Sequence, residues 1–366
     1  MKVIAQTAAL QEALALVGSI VSARTPKPVL QCVKLVAADK TLTLLATDLE
    51  AGARYHISAV QVEQDGEAAV PADRLIGIVR ETAGEDSLTI STEKDVCHIR
   101  GVGSHFKVFG FDPAEFPAVG DFAEPADFVL PAGELGRMIS KTLFATAKSH
   151  SHYAISGVLW EAGGKKLQLV ATDGHRLAQA KGSLSKSAAR DVTAIVPAKL
   201  MGLIQRIAGD GEETVEVKIQ DSQILVRTAR AVLVSSLVQG NFPKYADVIP
   251  RDCTRKVKMA TQVAERALRQ AALLTNEESR GVRLSFIATE LTLSSRAPET
   301  GEAEITETVE YEGEPLDVGF NPAYLVDALK VIESQSITFE FTAGNKPGLI
   351  KSGPDFLYVL MPVDLA

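Results

Sequence analysis

Apolar residues fall at helical spacing in three separated stretches: Leu10, Leu14, Val17 and Val21; then Leu135, Ile139 and Leu143; then Ala264, Ala267, Leu268 and Ala271. Steps of three and four residues put each set on one face of a helix. Between these stretches apolar and polar residues alternate, as in Ser87-Leu88-Thr89-Ile90 and Val215-Glu216-Val217-Lys218-Ile219. That period-two pattern predicts half-buried strands, and pairs such as Gly163-Gly164 mark the turns between them. A second short helix is expected after Val70-Pro71, Val196-Pro197 and Phe320-Asn321, over 74–80, 199–206 and 324–330, with proline favourable at a helix start.

The pattern repeats. Leu42-Thr43-Leu44-Leu45-Ala46-Thr47-Asp48 returns as Leu167-Gln168-Leu169-Val170-Ala171-Thr172-Asp173 and, more weakly, from Leu291 to Arg296. The pairs that open the second helices keep the same interval, and Phe116-Pro117 returns as Phe242-Pro243. Several landmarks at one interval predict a unit of roughly 125 residues written three times. Each copy reads as an α+β domain with two helices packed on one face of an antiparallel sheet. The expected domains are 1–120, 121–250 and 251–366, with linkers near 118–125 and 249–255, where Pro, Gly and charge concentrate.

Composition narrows the class. Of 366 residues, 46% are hydrophobic and 23% charged, which suits a globular chain with real cores. No apolar run is long enough for a membrane span, and the N-terminus lacks a signal peptide's apolar stretch. Cys32, Cys97 and Cys253 match no zinc spacing, so reduced thiols in a cytoplasm are expected. The formal charge of −8 argues against wrapping nucleic acid through global charge, although a basic inner surface fits inside an acidic total.

Candidate chemistry is sparse. The chain has no phosphate-binding Gly-rich loop, no His-Glu-x-x-His and no Gly-x-Ser-x-Gly. Asp173-Gly174-His175-Arg176 offers an acid and an imidazole, but Asp and Gly are also ordinary turn formers. Asp48 holds the equivalent place with no histidine beside it, which favours the turn. His150-Ser151-His152 offers half of a metal site without a third ligand nearby; no metal and no cofactor is expected. Basic residues recur instead. Arg80, Arg206 and Lys330 end the three second helices, and the first helix of the second copy adds Arg137, Lys141 and Lys148. A solvated helix end explains any one of them; a common surface facing phosphates explains all three copies together.

The run from Leu169 to Leu177 resembles the signature of bacterial beta clamps, the beta subunits of DNA polymerase III. Asn276 with Arg280–Leu284, Asn241-Phe242-Pro243-Lys244-Tyr245, Gly319–Tyr324 and Tyr358-Val359-Leu360-Met361-Pro362 are similar to further motifs of that family, in order along the whole chain. The resemblance implies a non-catalytic processivity ring: a head-to-tail homodimer enclosing double-stranded DNA. Size supports two copies, because touching domains roughly 35 Å across leave a hole of only about 5 Å for three and about 35 Å for six. The resemblance further implies a pocket for short linear peptides of the polymerase III catalytic subunit, the clamp loader, other polymerases and repair proteins. Carried over, that pocket comprises Ile155, Thr172, Gly174, His175, Arg176, Leu177, Pro243, Val248, Asn321, Tyr324, Val359, Leu360, Met361 and Pro362, with His175 and Arg176 as rim or turn residues. Asp247, where arginine is common, and the tail Val363-Asp364-Leu365-Ala366 depart from the family pattern. Dimer contacts would fall on Arg74, Phe106, Leu273 and Leu274, facing Glu299, Glu302 and Glu304, while Arg24, Ser149 and His150 sit where the family touches DNA. Two other classes remain to be compared: a hydrolase using Asp173 and His175, and a structural homo-oligomer that ignores DNA.

Overall fold

The computed structural model describes residues 1–22, 24–148, 153–208, 213–275, 281–298 and 301–364. Each repeat follows one order: strand, helix, four or five strands, helix, three strands. The helices are α1 (Thr7–Val17), α2 (Ala72–Glu81), α3 (Ala132–Ser140), α4 (Ala198–Ala208), α5 (Thr261–Ala272) and α6 (Pro322–Leu329). Val21 lies beyond α1, and Leu143 sits in a short 3-10 turn after α3. The second helix starts directly after each landmark, at Ala72, Ala198 and Pro322; Pro71 and Pro197 are the last residues of the strands before it, and the Asn321 side chain caps α6.

Two compact units divide the chain, one comprising residues 1–136, 185–190 and 199–237, the other 137–184, 191–198 and 238–366. In the first unit a five-stranded sheet runs Val60–Gln64, Lys2–Gln6, Ser87–Glu93, Val96–Arg100, His105–Phe109. Its eight-stranded sheet joins strands of two repeats, because Ala231–Ser236 pairs antiparallel with Ala51–Ile57. α1 packs beside α2 and touches strands of both sheets, with Leu10, Ala13, Leu14 and Val17 buried. The two helices lie side by side on antiparallel strands, as the repeat implied. The stretch expected as a linker over 118–125 is packed, with Val119 buried among Leu30, Leu45 and Phe116, and Phe122 among Leu225 and Val232.

The second unit repeats this plan. A nine-stranded sheet joins repeats where Arg176–Ser183 pairs antiparallel with Phe356–Leu360. A four-stranded sheet runs Gly301–Thr308, Glu290–Ala297, Val282–Ile287, Leu316–Phe320. α5 packs beside α6 and contacts strands of both sheets.

Candidate peptide-binding site

The site is built around the turn after strand Lys166–Thr172. Asp173 Oδ1 accepts hydrogen bonds from the amides of His175 (3.0 Å) and Arg176 (3.1 Å). Thr172 Oγ1 donates to the Arg176 carbonyl at 2.7 Å and accepts from the Gly174 amide. Asp48 and Thr47 make the same set of bonds with Ala51, Glu50 and Leu49 in the first repeat. Asp173 thus spends its carboxylate on the turn and on Arg176 (Nε to Oδ2, 2.9 Å), and His175 does not touch it through its ring. The imidazole instead stacks on Tyr324, centroids 6.4 Å apart.

Arg176 is 5% exposed, so the expectation that it forms the rim is corrected. Its guanidinium donates to Asp173, to Asp327 Oδ2 (2.9 Å) and to the Phe144 carbonyl (2.7 Å), and lies over the Tyr324 ring at 4.3 Å. Burial opposes the charge, but the Asp327 hydrogen bond and the charge of Asp173 outweigh it and raise the Arg176 pKa further. Tyr358, buried beneath, donates to the Tyr324 carbonyl at 2.9 Å; burial first, and the nearby acids after it, push its hydroxyl pKa up. Asp327 and Phe144 are neighbours of the site that sequence reasoning missed, since neither belongs to a motif; Tyr358 opens the C-terminal motif, but its place beneath Arg176 was not read from it.

Next to this network lies an apolar cluster. Leu177 and Val359 pair across neighbouring strands, Arg176 likewise with Leu360, and all four are buried. They lie beneath the surface of the site rather than on it. Leu159, Val170, Ile195 and Leu349 complete the cluster, with Ala154, Phe242, Tyr245 and Ile249 packed on it. Accessible apolar surface comes from Val248 (47% exposed), Met361 (42%) and Pro243, with Ile155 and Pro362 half-buried. The Met361 amide donates to the His175 carbonyl at 2.9 Å, which ties the C-terminal strand to the turn. Asn321 is committed to capping α6 through Ala323. Tyr245 donates to Glu161 at 2.7 Å; burial and that carboxylate raise its pKa to about 12. The arrangement suits binding of an extended apolar segment: a hydrophobic floor, exposed backbone turns and no group poised for proton transfer.

The basic positions are spread. Arg80, Arg206 and Lys330 are exposed at or next to the ends of α2, α4 and α6, and Arg24, Arg137 and Lys148 are exposed while Lys141 is half-buried. Arg80 also contacts Glu81 at 3.3 Å. Arg206 borders a cavity of about 600 Å³ shared with Glu12, Tyr55 and Arg230. Ser149, His150, His152 and Glu299 lie outside the described residues. Leu273 is 79% exposed; Phe106 and Leu274 are half-buried, and Arg74 is exposed beside Asp73. Glu302 bonds Arg296 at 3.0 Å, and Glu304 is exposed on the same edge strand.

Family models of the DNA polymerase III beta subunit match the chain in three consecutive stretches, the N-terminal domain at 1–120, the central domain at 129–244 and the C-terminal domain at 246–364. The chain belongs to the DNA polymerase III beta subunit family. It is 31% identical over 351 residues to the beta sliding clamp of Haemophilus influenzae, covering 95% of this chain and 96% of that protein. The Proteus mirabilis beta sliding clamp is 30% identical over 368 residues, with both chains fully covered. Among solved structures, the DNA polymerase sliding clamp of Bacillus subtilis superposes with a TM-score of 0.94 at 29% identity over the whole of both chains. A Pseudomonas aeruginosa sliding clamp bound to griselimycin also gives 0.94, at 32% identity and full coverage of both. Membership in this beta subunit family accounts for the threefold repeat and for the absence of a catalytic constellation among the motifs of the sequence.

Proposed function

We propose that this chain is a DNA sliding clamp: a non-catalytic, cytoplasmic processivity factor whose head-to-tail homodimer encircles duplex DNA and tethers polymerases and repair proteins by their short peptides. Its clamp domains are 1–120, 121–250 and 251–366. The observation that carries the ring is a rule at the repeat junctions. At each junction inside the chain, the last strand of one repeat pairs antiparallel with a strand of the repeat before it, Leu233 opposite Ala53 and Tyr358 opposite Ala178. A bulky side chain meets an alanine each time. Stepping across the strand ladders from the first strand of each repeat, Val3–Ile90–Ile99–Phe106 matches Phe128–Val217–Val226–Leu233 and Val257–Phe339–Ile350–Tyr358. Ala303 is likewise the equivalent of Ala53 and Ala178. Phe106 and Ala303 lie on strands His105–Phe109 and Gly301–Thr308, each an open edge of its sheet among the described residues. An open edge is a template for pairing with another chain, and a second copy supplies the missing partner at both ends, which closes a ring.

The site around Arg176 is the peptide pocket of this reading, with Ile155, Pro243, Val248 and Met361 as its accessible apolar surface, and Thr172, Leu177, Val359 and Leu360 beneath. Arg24, Arg80, Arg137, Lys141, Lys148, His150, Arg206 and Lys330 are the DNA-facing set, and Arg74, Phe106, Leu273, Leu274, Glu299, Glu302 and Glu304 the dimer contacts. The test is loading by a clamp loader onto a primed circular template, with polymerase product length as readout. Long products on the circle, and rapid loss of the protein once the circle is linearised, are expected. Equal retention on circular and linear DNA, or a His175-dependent hydrolysis of any substrate, would overturn the reading.

A further inference from the structure

We propose that His98 and His105 form a proton-linked fastener at the edge where two copies of this chain meet, so that the homodimer tightens as pH falls; this rests on the edge-to-edge dimer proposed above. His98 Nδ1 and His105 Nε2 share a hydrogen bond of 3.0 Å, and the rings stack with centroids 5.3 Å apart. His105 begins the open edge strand, and alternation puts His105, Lys107 and Phe109 on its outer face, with Val108 buried and Phe106 half-buried on the other. Phe109 is 78% exposed, as an edge awaiting a partner leaves it.

The junction register fixes what would face them. With Phe106 opposite Ala303 of the second copy, antiparallel pairing sets His105 opposite Glu304 and Lys107 opposite Glu302. Glu302 and Glu304 are exposed on the outer face of their strand, while Glu307 turns to the helix side and pairs with Arg266. Directly opposite charges on a sheet face stabilise pairing, and His105 can join only when protonated.

Within one copy, the surroundings work the other way. Arg100 pairs across from His105, Lys107 pairs across from His98, and both are basic. Farther along the same outer face, Glu93 ends strand Ser87–Glu93 and Lys2 is held by Glu63 at 2.7 Å. Glu85 is spent on the loop before His105, accepting from the Val102 amide at 2.7 Å. Partial desolvation, then Arg100, His98 and Lys107, lower the His105 pKa from its ordinary value. In the closed ring, Glu304 adds an opposite charge within reach and favours the imidazolium. The pKa therefore rises on association. Proton uptake accompanies closure, and the added affinity is present at pH below the free imidazole's pKa and fades as pH climbs through the ring's. Arg296, bonded to Glu302, leaves Glu304 as the unshared carboxylate facing the histidine.

The experiment measures the dimer dissociation constant of the full chain by subunit-exchange fluorescence from about pH 8 down to about pH 6, a range in which an imidazole titrates and carboxylates do not. We expect the wild type to tighten at least about tenfold over this range, since ring closure makes two interfaces and one proton at each gives up to about a hundredfold change in the dimer constant per pH unit. The His98→Gln/His105→Gln variant should hold one affinity throughout. The Glu304→Gln variant should weaken the dimer most at the acid end and flatten the slope as well. A wild-type dimer that is flat or loosens toward acid, or a double variant keeping the wild-type slope, overturns the fastener while leaving the edge pairing intact. If Phe106→Asp leaves dimer affinity unchanged, the edge pairing itself fails and the fastener fails with it.

Discussion

Asp173 and Arg176 show what one residue reveals in sequence and what it conceals. The turn was legible because everything it uses is local: Asp173 and Asp48 each bond amides two and three residues on. The burial of Arg176 was not, because its partners Asp327 and Phe144 lie 151 and 32 residues away and carry no pattern. The paired turns also yield a prediction. Gly174 has φ 91°, and its equivalent Leu49 is held at φ 78° with its side chain 57% exposed. A left-handed conformation costs a side-chain-bearing residue about 1 kcal/mol or more, partly offset by glycine's larger unfolded-state entropy. Leu49→Gly should stabilise the protein by about 0.5 kcal/mol, read as a higher urea midpoint at unchanged slope. Gly174→Leu should destabilise it by about 1 kcal/mol through backbone strain alone, since a Cβ there meets nothing within 4 Å. A loss of stability in the Leu49 variant would show that its exposed side chain matters more than its backbone.

At the scale of elements, the first helix of each repeat was legible from apolar spacing and the second from the landmark pair before it, but which strands each helix touches was not. A helical stripe reveals one buried face; α1 and α5 each touch two sheets, and period alone cannot count the neighbours. The stretch read as a linker carries no helix or strand, but it is packed: Pro, Gly and charge mark irregular backbone, and Phe116, Val119 and Phe122 anchor it. Asp127 finishes the anchoring. Its carboxylate, nearly buried, accepts from the Ile219 amide at 2.8 Å and from Arg190 and Lys218. Burial alone would raise its pKa, but these donors lower it. A depressed folded pKa adds stability above the unfolded value, near about pH 4, that is lost as pH falls through the folded pKa. Asp48, held by Lys199, titrates in the same sense. Asp127→Asn should therefore cost about 2 kcal/mol near neutral pH, with the gap to wild type closing below about pH 4. Thermal melts across that range check it; a constant gap would mean the loss is steric rather than ionic.

For the whole molecule, the acidic total and the recurring basic helix ends must be reconciled. A net charge of −8 works against binding duplex along the outside, and only a local array of cations can meet phosphates. On the proposed reading, Arg80, Arg206 and Lys330 would provide one such cation per repeat, and a ring of two copies would present six. Each phosphate contact contributes a salt-dependent increment with no base recognition, and a handful give only weak binding on their own. The topology of a closed ring then supplies the residence time that the charges cannot. The two contributions separate in one experiment. The Arg80→Ala/Arg206→Ala/Lys330→Ala variant should load onto primed circular DNA about three- to tenfold more slowly at moderate salt, and its loading should respond less steeply to salt. Its lifetime on a closed circle should match the wild type, because escape requires opening the interface rather than breaking phosphate contacts. Dimer affinity should also be unchanged, since none of the three residues lies on the open edge strands. If the variant fell off closed circles as fast as it loses short linear duplex, affinity rather than topology would be holding the protein on DNA.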